Sequence, residues 1–250
     1  MTHLTILTGA SRGMGFAMAR QLLQSGHDLV CIARRTNEEL AQEAARAGRR
    51  CEQWTQDLAR AEAAAAGLVT WLQAQDAGRF ASVTLINNAG LIPRVAPLPE
   101  IPAAQLVEAM RVDLEAPMLL TAGFLYATST WTIPRRILNI SSGLGRRAMA
   151  SQAAYCAAKA GMDHFTRCVA LEQARLPNGA RICSLAPGVI DTDMQVQLRG
   201  AESERFPDRA NFVGLKEKGL LSSPEEAAAR VLAFLARPDF GAEPVADVRD

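Results

Sequence analysis

Two of the scarcest side chains in this 250-residue chain stand four positions apart. The sequence holds 2 Tyr and three Lys, and one of each meets in Tyr155-Cys156-Ala157-Ala158-Lys159. On a helix, positions i and i+4 share a face, so the phenol and the ammonium point to one place. A nearby cation favours phenolate, and bringing a phenol down three pKa units takes about 4 kcal/mol. Such a tyrosine donates a proton to a carbonyl oxygen while hydride reaches the carbon, or withdraws it in reverse. Ser142, in Asn139-Ile140-Ser141-Ser142-Gly143, precedes Tyr155 by thirteen residues and offers a hydroxyl to hold the same oxygen. A serine at a strand end also serves simply as a turn residue.

Hydride chemistry needs a dinucleotide, and the N-terminus offers a place for one. Thr8-Gly9-Ala10-Ser11-Arg12-Gly13-Met14-Gly15 follows the first apolar run with G-x-x-x-G-x-G spacing. Gly9 permits a tight turn, Gly13 lets the backbone approach a pyrophosphate, and Gly15 lets the next helix pack close. The start of that helix, at Met14, then faces the phosphates with free N–H groups and its positive dipole end. A fold selecting NAD carries an acid about 20 residues further on, for the ribose 2′-hydroxyl. Here the second strand ends Cys31-Ile32-Ala33-Arg34-Arg35, with two guanidinium groups and no carboxylate. Arg34, helped by Arg12 or Arg35, suits a 2′-phosphate, although Arg35 alone also reads as a solvated helix start. At about 1.5–3 kcal/mol for a charge-assisted bond, one contact gives roughly tenfold to a hundredfold preference. NADP(H) is the expected cofactor.

The elements that must position these groups alternate almost to the C-terminus. Apolar runs at residues 4–8, 28–33, 51–55, 83–87, 137–140 and 181–186 read as buried strands, with a seventh, short one near 245–248. Between them lie amphipathic stretches at 36–47, 61–75, a long helix ending before Thr130, 152–175 and 222–236. The last is capped by Ser223 with Glu226 three residues on. Strands alternating with helices predict an α/β fold, a Rossmann-type doubly wound parallel sheet with helices on both faces. No linker or repeat divides it, so residues 1–250 are expected to form one domain. The exception to the rhythm is 191–221, long, charged and interrupted by Gly200, Pro207, Gly214 and Gly219. It follows a strand's carboxyl end, where ligands bind, and is expected to form a lid.

Composition narrows the field further. With 27 Lys+Arg against 26 Asp+Glu there is no net field for a polyanion, so no nucleic-acid partner is expected. Five scattered cysteines without C-x-x-C suit reduced cytosolic thiols, and the three histidines have no ligand spacing, so no metal is expected. No apolar run approaches the ~20 residues of a membrane span, and the first residues lack a signal peptide's pattern. A cytoplasmic protein is the expectation.

Together these residues carry a family resemblance. Over essentially its whole length the chain resembles a short-chain dehydrogenase/reductase. The matching motifs are residues 8–15, Asp57-Leu58, Asn87-Asn88-Ala89-Gly90, Ser142 with Tyr155-x-x-x-Lys159, and Pro187-Gly188-Val189-Ile190-Asp191-Thr192. The resemblance implies that Asp57 and Leu58 meet the adenine, and that Asn87, Ala89 and Gly90 line the cofactor while bracing the sheet. It implies that Lys159 binds the nicotinamide ribose and that Ile190 and Thr192, beside Pro187 and Gly188, hold the carboxamide. It also implies a homo-oligomer, a dimer first, through the two long helices. One position departs: where the family has Asn in a V-N-L segment, Arg111-Val112-Asp113-Leu114 places Asp113. That residue keeps an acceptor, loses an NH₂ donor and, if ionised near Lys159, alters both pKa values.

The C-terminal third is more narrowly similar to sepiapterin reductases and bacterial benzil-type diketone reductases. The likeness lies in the stretch from Pro187 to Gln195, in Leu215-Lys216-Glu217-Lys218-Gly219, and in the ending Val245-Ala246-Asp247-Val248-Arg249-Asp250. By that likeness Asp250 stands where a terminal carboxylate meets substrate. Leu144, Met149 and Gln152 between Ser142 and Tyr155, with Met194 and Leu198 at the start of the lid, suggest an apolar substrate pocket. Arg146 and Arg147 read as solvated loop residues before a site for an acidic substrate. The expected activity is NADPH-dependent reduction of a small ketone, a vicinal diketone or pterin side-chain carbonyl, to a secondary alcohol. Two alternatives are a non-catalytic NADP-binding sensor or scaffold, favoured only by Asp113, and an NAD-dependent alcohol dehydrogenase, opposed by Arg34.

Overall fold

The computed structural model describes residues 1–249. The expected contact at Asp250 lies outside them. Seven strands form one parallel sheet: β1 (Thr2–Thr8), β2 (His27–Ala33), β3 (Cys51–Thr55), β4 (Phe80–Asn87), β5 (Arg135–Ile140), β6 (Arg181–Ala186) and β7 (Val245–Asp247). The helices are α1 (Gly13–Gln24), α2 (Glu38–Ala47), α3 (Ala61–Gln73), α4 (Ala103–Met110), α5 (Ala116–Ala127), α6 (Ala153–Gln173), α7 (Asp193–Arg199), α8 (Arg209–Glu217) and α9 (Pro224–Ala236). Among the described residues no helix is long and apolar enough to cross a membrane.

Strand order is β3-β2-β1-β4-β5-β6-β7. The chain winds outward from β1 in one direction, then returns to β4 on the other side of β1 and winds the opposite way. The loops after β1 and β4 therefore part, and a crevice opens at the strands' carboxyl ends. Both faces of the sheet are covered. Leu7, Leu29, Cys31, Leu138 and Leu185 pack with α1, α2 and α9 on one face. Ile6, Val30, Leu85, Ile137 and Ile182 pack with α3, α5 and α6 on the other. Burial on both faces is what made these strands read as continuous apolar runs.

Local signals hold the helices where the sequence put them. Ser223 Oγ accepts from Glu226 N at 3.1 Å, and the Glu226 carboxylate accepts from Ser223 N at 2.9 Å, a reciprocal cap for α9. Asn37 caps α2, accepting from Leu40 N at 3.2 Å. Two segments differ from expectation. The long helix before Thr130 is α4 and α5 joined by a π-helical turn, Arg111–Glu115, which carries Asp113. The segment 191–221 is not a structureless loop: α7 and α8 occupy much of it, each too short to announce itself by periodicity. Asp191 ties this segment down, accepting hydrogen bonds from Arg199 at 3.5 Å and from Lys216.

Candidate active site

The loops at the carboxyl ends of β1, β4, β5 and β6 frame one cleft of about 1350 Å³. At one end the chain leaves β1 through Gly9, whose φ of +72° favours glycine. A Cβ there would stand 2.9 Å from Ala89 Cα, and one on Gly15 would stand 2.2 Å from Gly9 O. Gly13 differs, since a Cβ would meet only Thr192 Cγ2 at 3.9 Å. Two glycines therefore admit backbone and the third faces open space beside the N-terminus of α1. No side chain caps that helix end, so its free N–H groups are available to phosphate oxygens. These features fit a dinucleotide pyrophosphate.

The glycine turn is held by hydrogen bonds between the two motifs and by a pair that no motif contained. Thr8 Oγ1 accepts from Asn88 N and Ala89 N, both at 2.9 Å, and Asn88 Nδ2 donates to Thr8 O at 2.9 Å. Asn37 Nδ2 donates to Ser11 O at 3.0 Å, while Gln53 holds the Asn37 backbone through bonds of 2.7 and 2.9 Å. The i to i+16 spacing of Asn37 and Gln53 carries no periodic signal, which is why sequence reading missed it. Arg34 and Arg35 are exposed beyond β2 and make no hydrogen bond or ion pair among the described residues, so both guanidinium groups are free for an anion. Arg12 instead pairs across the cleft mouth with Asp193 of α7, both side chains being 71% exposed. An ion pair that open is worth little and yields readily to a phosphate.

Deeper in, β5 ends at Ile140 and the chain runs on to Ser142, whose Oγ accepts from Leu144 N at 3.2 Å. Tyr155 and Lys159 lie one turn apart on α6, as their spacing required, and both are buried. Lys159 Nζ donates to Ile140 O at 3.0 Å and stands 5.5 Å from the centre of the Tyr155 ring. Burial pulls the Lys159 ammonium down, while Asp113 and Asp163 pull it up. Burial, with the Asp113 charge, drives the Tyr155 phenol far above its ordinary value, and a hydrogen bond with Ser142 opposes them. This corrects the expectation of a phenol lowered by Lys159. The ammonium is committed to a carbonyl and offset by nearby carboxylates, so desolvation wins. At neutral pH Tyr155 is consequently a protonated donor.

Asp113 sits behind this pair and does not line the cleft. It is fully buried in the π-helical turn, and its Oδ1 accepts from Leu91 N at 2.8 Å. Its Oδ2 has no hydrogen-bond partner among the described residues. Burial raises its pKa to about 6 against the pull of Lys159 and the Leu91 N–H. A Cβ on Gly90 would lie 3.3 Å from Asp113 Oδ1 and 3.7 Å from Lys159 Nζ, so the glycine separates the two charges at close range.

A second buried carboxylate braces the catalytic loop. Asp163 Oδ1 accepts from Ser141 Oγ and Ser184 Oγ, each at 2.6 Å, and Arg146 Nε lies 3.6 Å from Oδ2. Arg146 also donates to Ala246 O at 3.0 Å, fastening this loop to β7. Arg146, expected as a solvated loop arginine, is thus held by a buried carboxylate and by β7, and it lines the cleft together with Arg147.

Most of the anticipated residues reach the cleft. Gly9, Ser11, Arg12, Gly13, Met14, Gly15, Arg34, Arg35, Asp57, Leu58, Ala89, Gly90, Ser142, Tyr155, Lys159, Pro187, Gly188, Ile190 and Thr192 line it. So do Leu144, Met149, Gln152 and Met194 on the substrate side. Asp113, behind the pair, does not, and neither does Asn87. Its Nδ2 donates to Asn139 Oδ1 at 2.8 Å and Thr121 Oγ1 at 3.2 Å, so it braces β4 against β5 and α5 rather than lining the cleft. The outer wall is apolar: Ile92, Val95, Tyr155, Leu198 and Phe206 form a cluster with Leu144, Met149, Met194 and Phe212. Ile92 and Phe212 joined the site without any motif to announce them.

Comparison with known proteins agrees with this arrangement. The family model for short chain dehydrogenase matches residues 3–203. A benzil reductase ((S)-benzoin forming) of Bacillus cereus is 35% identical over 94% of either chain. A sepiapterin reductase of Xenopus tropicalis is 31% identical, covering 93% of this chain and 90% of that protein. Among solved structures, a putative NAD(P) dependent gluconate 5-dehydrogenase from Beutenbergia cavernae with bound NADP is 29% identical. It superposes with a TM-score of 0.83, over 98% of this chain and 94% of that one. The matched region runs from the glycine turn through the Ser–Tyr–Lys group to α7, and the chain belongs to the short-chain dehydrogenase family of oxidoreductases.

Proposed function

We propose that the protein reduces a small, largely apolar ketone with NADPH, a vicinal diketone first and a pterin side-chain carbonyl second. The observation carrying this reading is Ser142, Tyr155 and Lys159 brought together in one cleft, at the boundary between its dinucleotide-shaped end and an apolar wall. The diketone named for the Bacillus relative supports the substrate class. Bound NADPH supplies the hydride. The Ser142 hydroxyl and the Tyr155 phenol hold the carbonyl oxygen by hydrogen bonds, and Tyr155 gives it a proton as negative charge builds there. Lys159 fixes the foot of the site through Ile140 O. The α7–α8 segment carries Met194, Leu198 and Phe212 over the substrate and acts as its lid, excluding water from the reacting carbon.

NADPH selection rests on Arg34 and Arg35, free at the end of β2, where no carboxylate takes the place of the acid that selects NAD. Arg34→Glu is expected to lower the kcat/KM ratio of NADPH to NADH roughly tenfold to a hundredfold, since it removes one charge-assisted contact and adds repulsion. Initial rates with both cofactors on a vicinal diketone test both assignments. A wild-type preference for NADH would overturn the cofactor assignment, and absence of diketone turnover with either cofactor would overturn the substrate class.

A cytoplasmic homodimer completes the reading. Val107 of α4, Met118 and Tyr126 of α5 and Leu171 of α6 are 40–73% exposed, an unusual concentration of large apolar side chains on adjacent helices. Sedimentation should give twice the 26.9 kDa chain mass, and Met118→Glu with Leu171→Glu should shift it toward the monomer.

A further inference from the structure

Ser151 is the one non-glycine among the described residues with a positive φ, +62°. Side chains adopt that conformation only when their surroundings impose it, and such residues gather at ligand sites. The constraint here is visible: Ser151 Oγ donates to Arg205 O, in the segment between α7 and α8. Arg205 is anchored in turn by Glu100 at 3.1 Å and Glu202 at 3.2 Å. The catalytic loop is thus pinned to the lid at the residue before Gln152.

Gln152 occupies the N-cap position of α6 but makes no capping bond with its side chain. That side chain is turned inward, 2% exposed, and it lines the cleft. It stands three residues before Tyr155, and the two side chains line the same cleft. Its Nε2 donates to Ser151 O at 3.0 Å. The second amide hydrogen and the amide oxygen have no partner among the described residues. The same cleft is lined by the apolar side chains Ile92, Leu144, Met149, Met194, Leu198 and Phe212. A primary amide held in apolar surroundings with spare hydrogen-bonding capacity calls for a polar group from a ligand.

We propose that Gln152 recognises the second carbonyl oxygen of a vicinal dicarbonyl substrate, while Tyr155 and Ser142 hold the first. This rests on the ketone-reductase reading above and adds the group that separates dicarbonyls from simple ketones. The amide N–H donates to the oxygen not being reduced and keeps that carbonyl away from the incoming hydride. One hydride from NADPH and one proton from Tyr155 convert the first carbonyl to an alcohol, and the product is an α-hydroxyketone.

The test compares benzil with deoxybenzoin, its monoketone counterpart of nearly equal size, using NADPH and the intact protein. Gln152→Leu should lower the benzil-to-deoxybenzoin ratio of kcat/KM about threefold to tenfold, the range of one neutral hydrogen bond. Gln152→Glu, isosteric and without the donor, should lower it at least as far, and it carries the test if the Leu variant fails to fold. Equal losses on both substrates would overturn the role of Gln152 and leave ketone reduction standing. A wild-type protein that reduces neither substrate would overturn the ketone-reductase reading itself.

Discussion

Tyr155→Phe is expected to lower ketone reduction about a thousandfold, within the range of a lost general acid, while NADPH still binds. The substitution removes one oxygen and leaves the ring. The apolar cluster that the ring joins is kept, and so is the Lys159 bond to Ile140 O, 3.0 Å long. The loss should therefore fall on kcat, because the proton is needed only as charge develops on the carbonyl oxygen. Stopped-flow loss of reduced-nicotinamide absorbance measures the chemical step, and quenching of protein fluorescence by NADPH measures binding. A variant keeping a tenth of wild-type turnover would remove Tyr155 from the proton-transfer role. A variant that no longer binds NADPH would make the residue a cofactor-site brace instead.

The part of this site legible in the sequence was the part with short-range spacing. Tyr155 and Lys159 are one helical turn apart, and the glycines at 9, 13 and 15 belong to a single turn. A period or a local turn rule is enough to place each of them. Strand positions were legible for the same reason, since burial on both faces leaves unbroken apolar runs. What escaped depended on long-range pairing. Gln53 with Asn37, Asp163 with Ser141 and Ser184, and Ser151 with Arg205 are joined only by the fold. Asn87 was half legible: the motif implied sheet bracing and cofactor lining together, and the fold shows its amide committed to Asn139 and Thr121, which leaves the bracing alone. The sign of the Tyr155 shift was missed for an energetic reason. Spacing reports the cation beside a phenol, but not the burial that opposes it.

Asp113→Asn should remove a pH dependence that the wild-type protein carries near pH 6. The buried carboxyl has its pKa raised from 3.8 to about 6. Between those values the folded state holds a proton that the unfolded state has released. Stability is thus fully present below about pH 4 and falls as pH rises through 6. The shift corresponds to on the order of 3 kcal/mol at pH 8, partly offset because Asn no longer balances the Lys159 charge. Asn keeps the acceptor for Leu91 N–H and puts an amide where Oδ2 has no partner. Urea midpoints should accordingly rise in the variant at pH 8 and change little at pH 4.5. Activity should follow the same group. The ionisable residues bearing on Asp113 are Lys159 and Tyr155, both on α6. Ionising Asp113 steadies the Lys159 charge and raises the phenol further, so the wild-type rate profile should bend near pH 6 and the Asn profile should run flat there. An unchanged bend in Asp113→Asn would assign the titration to another group, and a variant less stable at pH 8 would mean that the Lys159 pairing outweighs the burial cost.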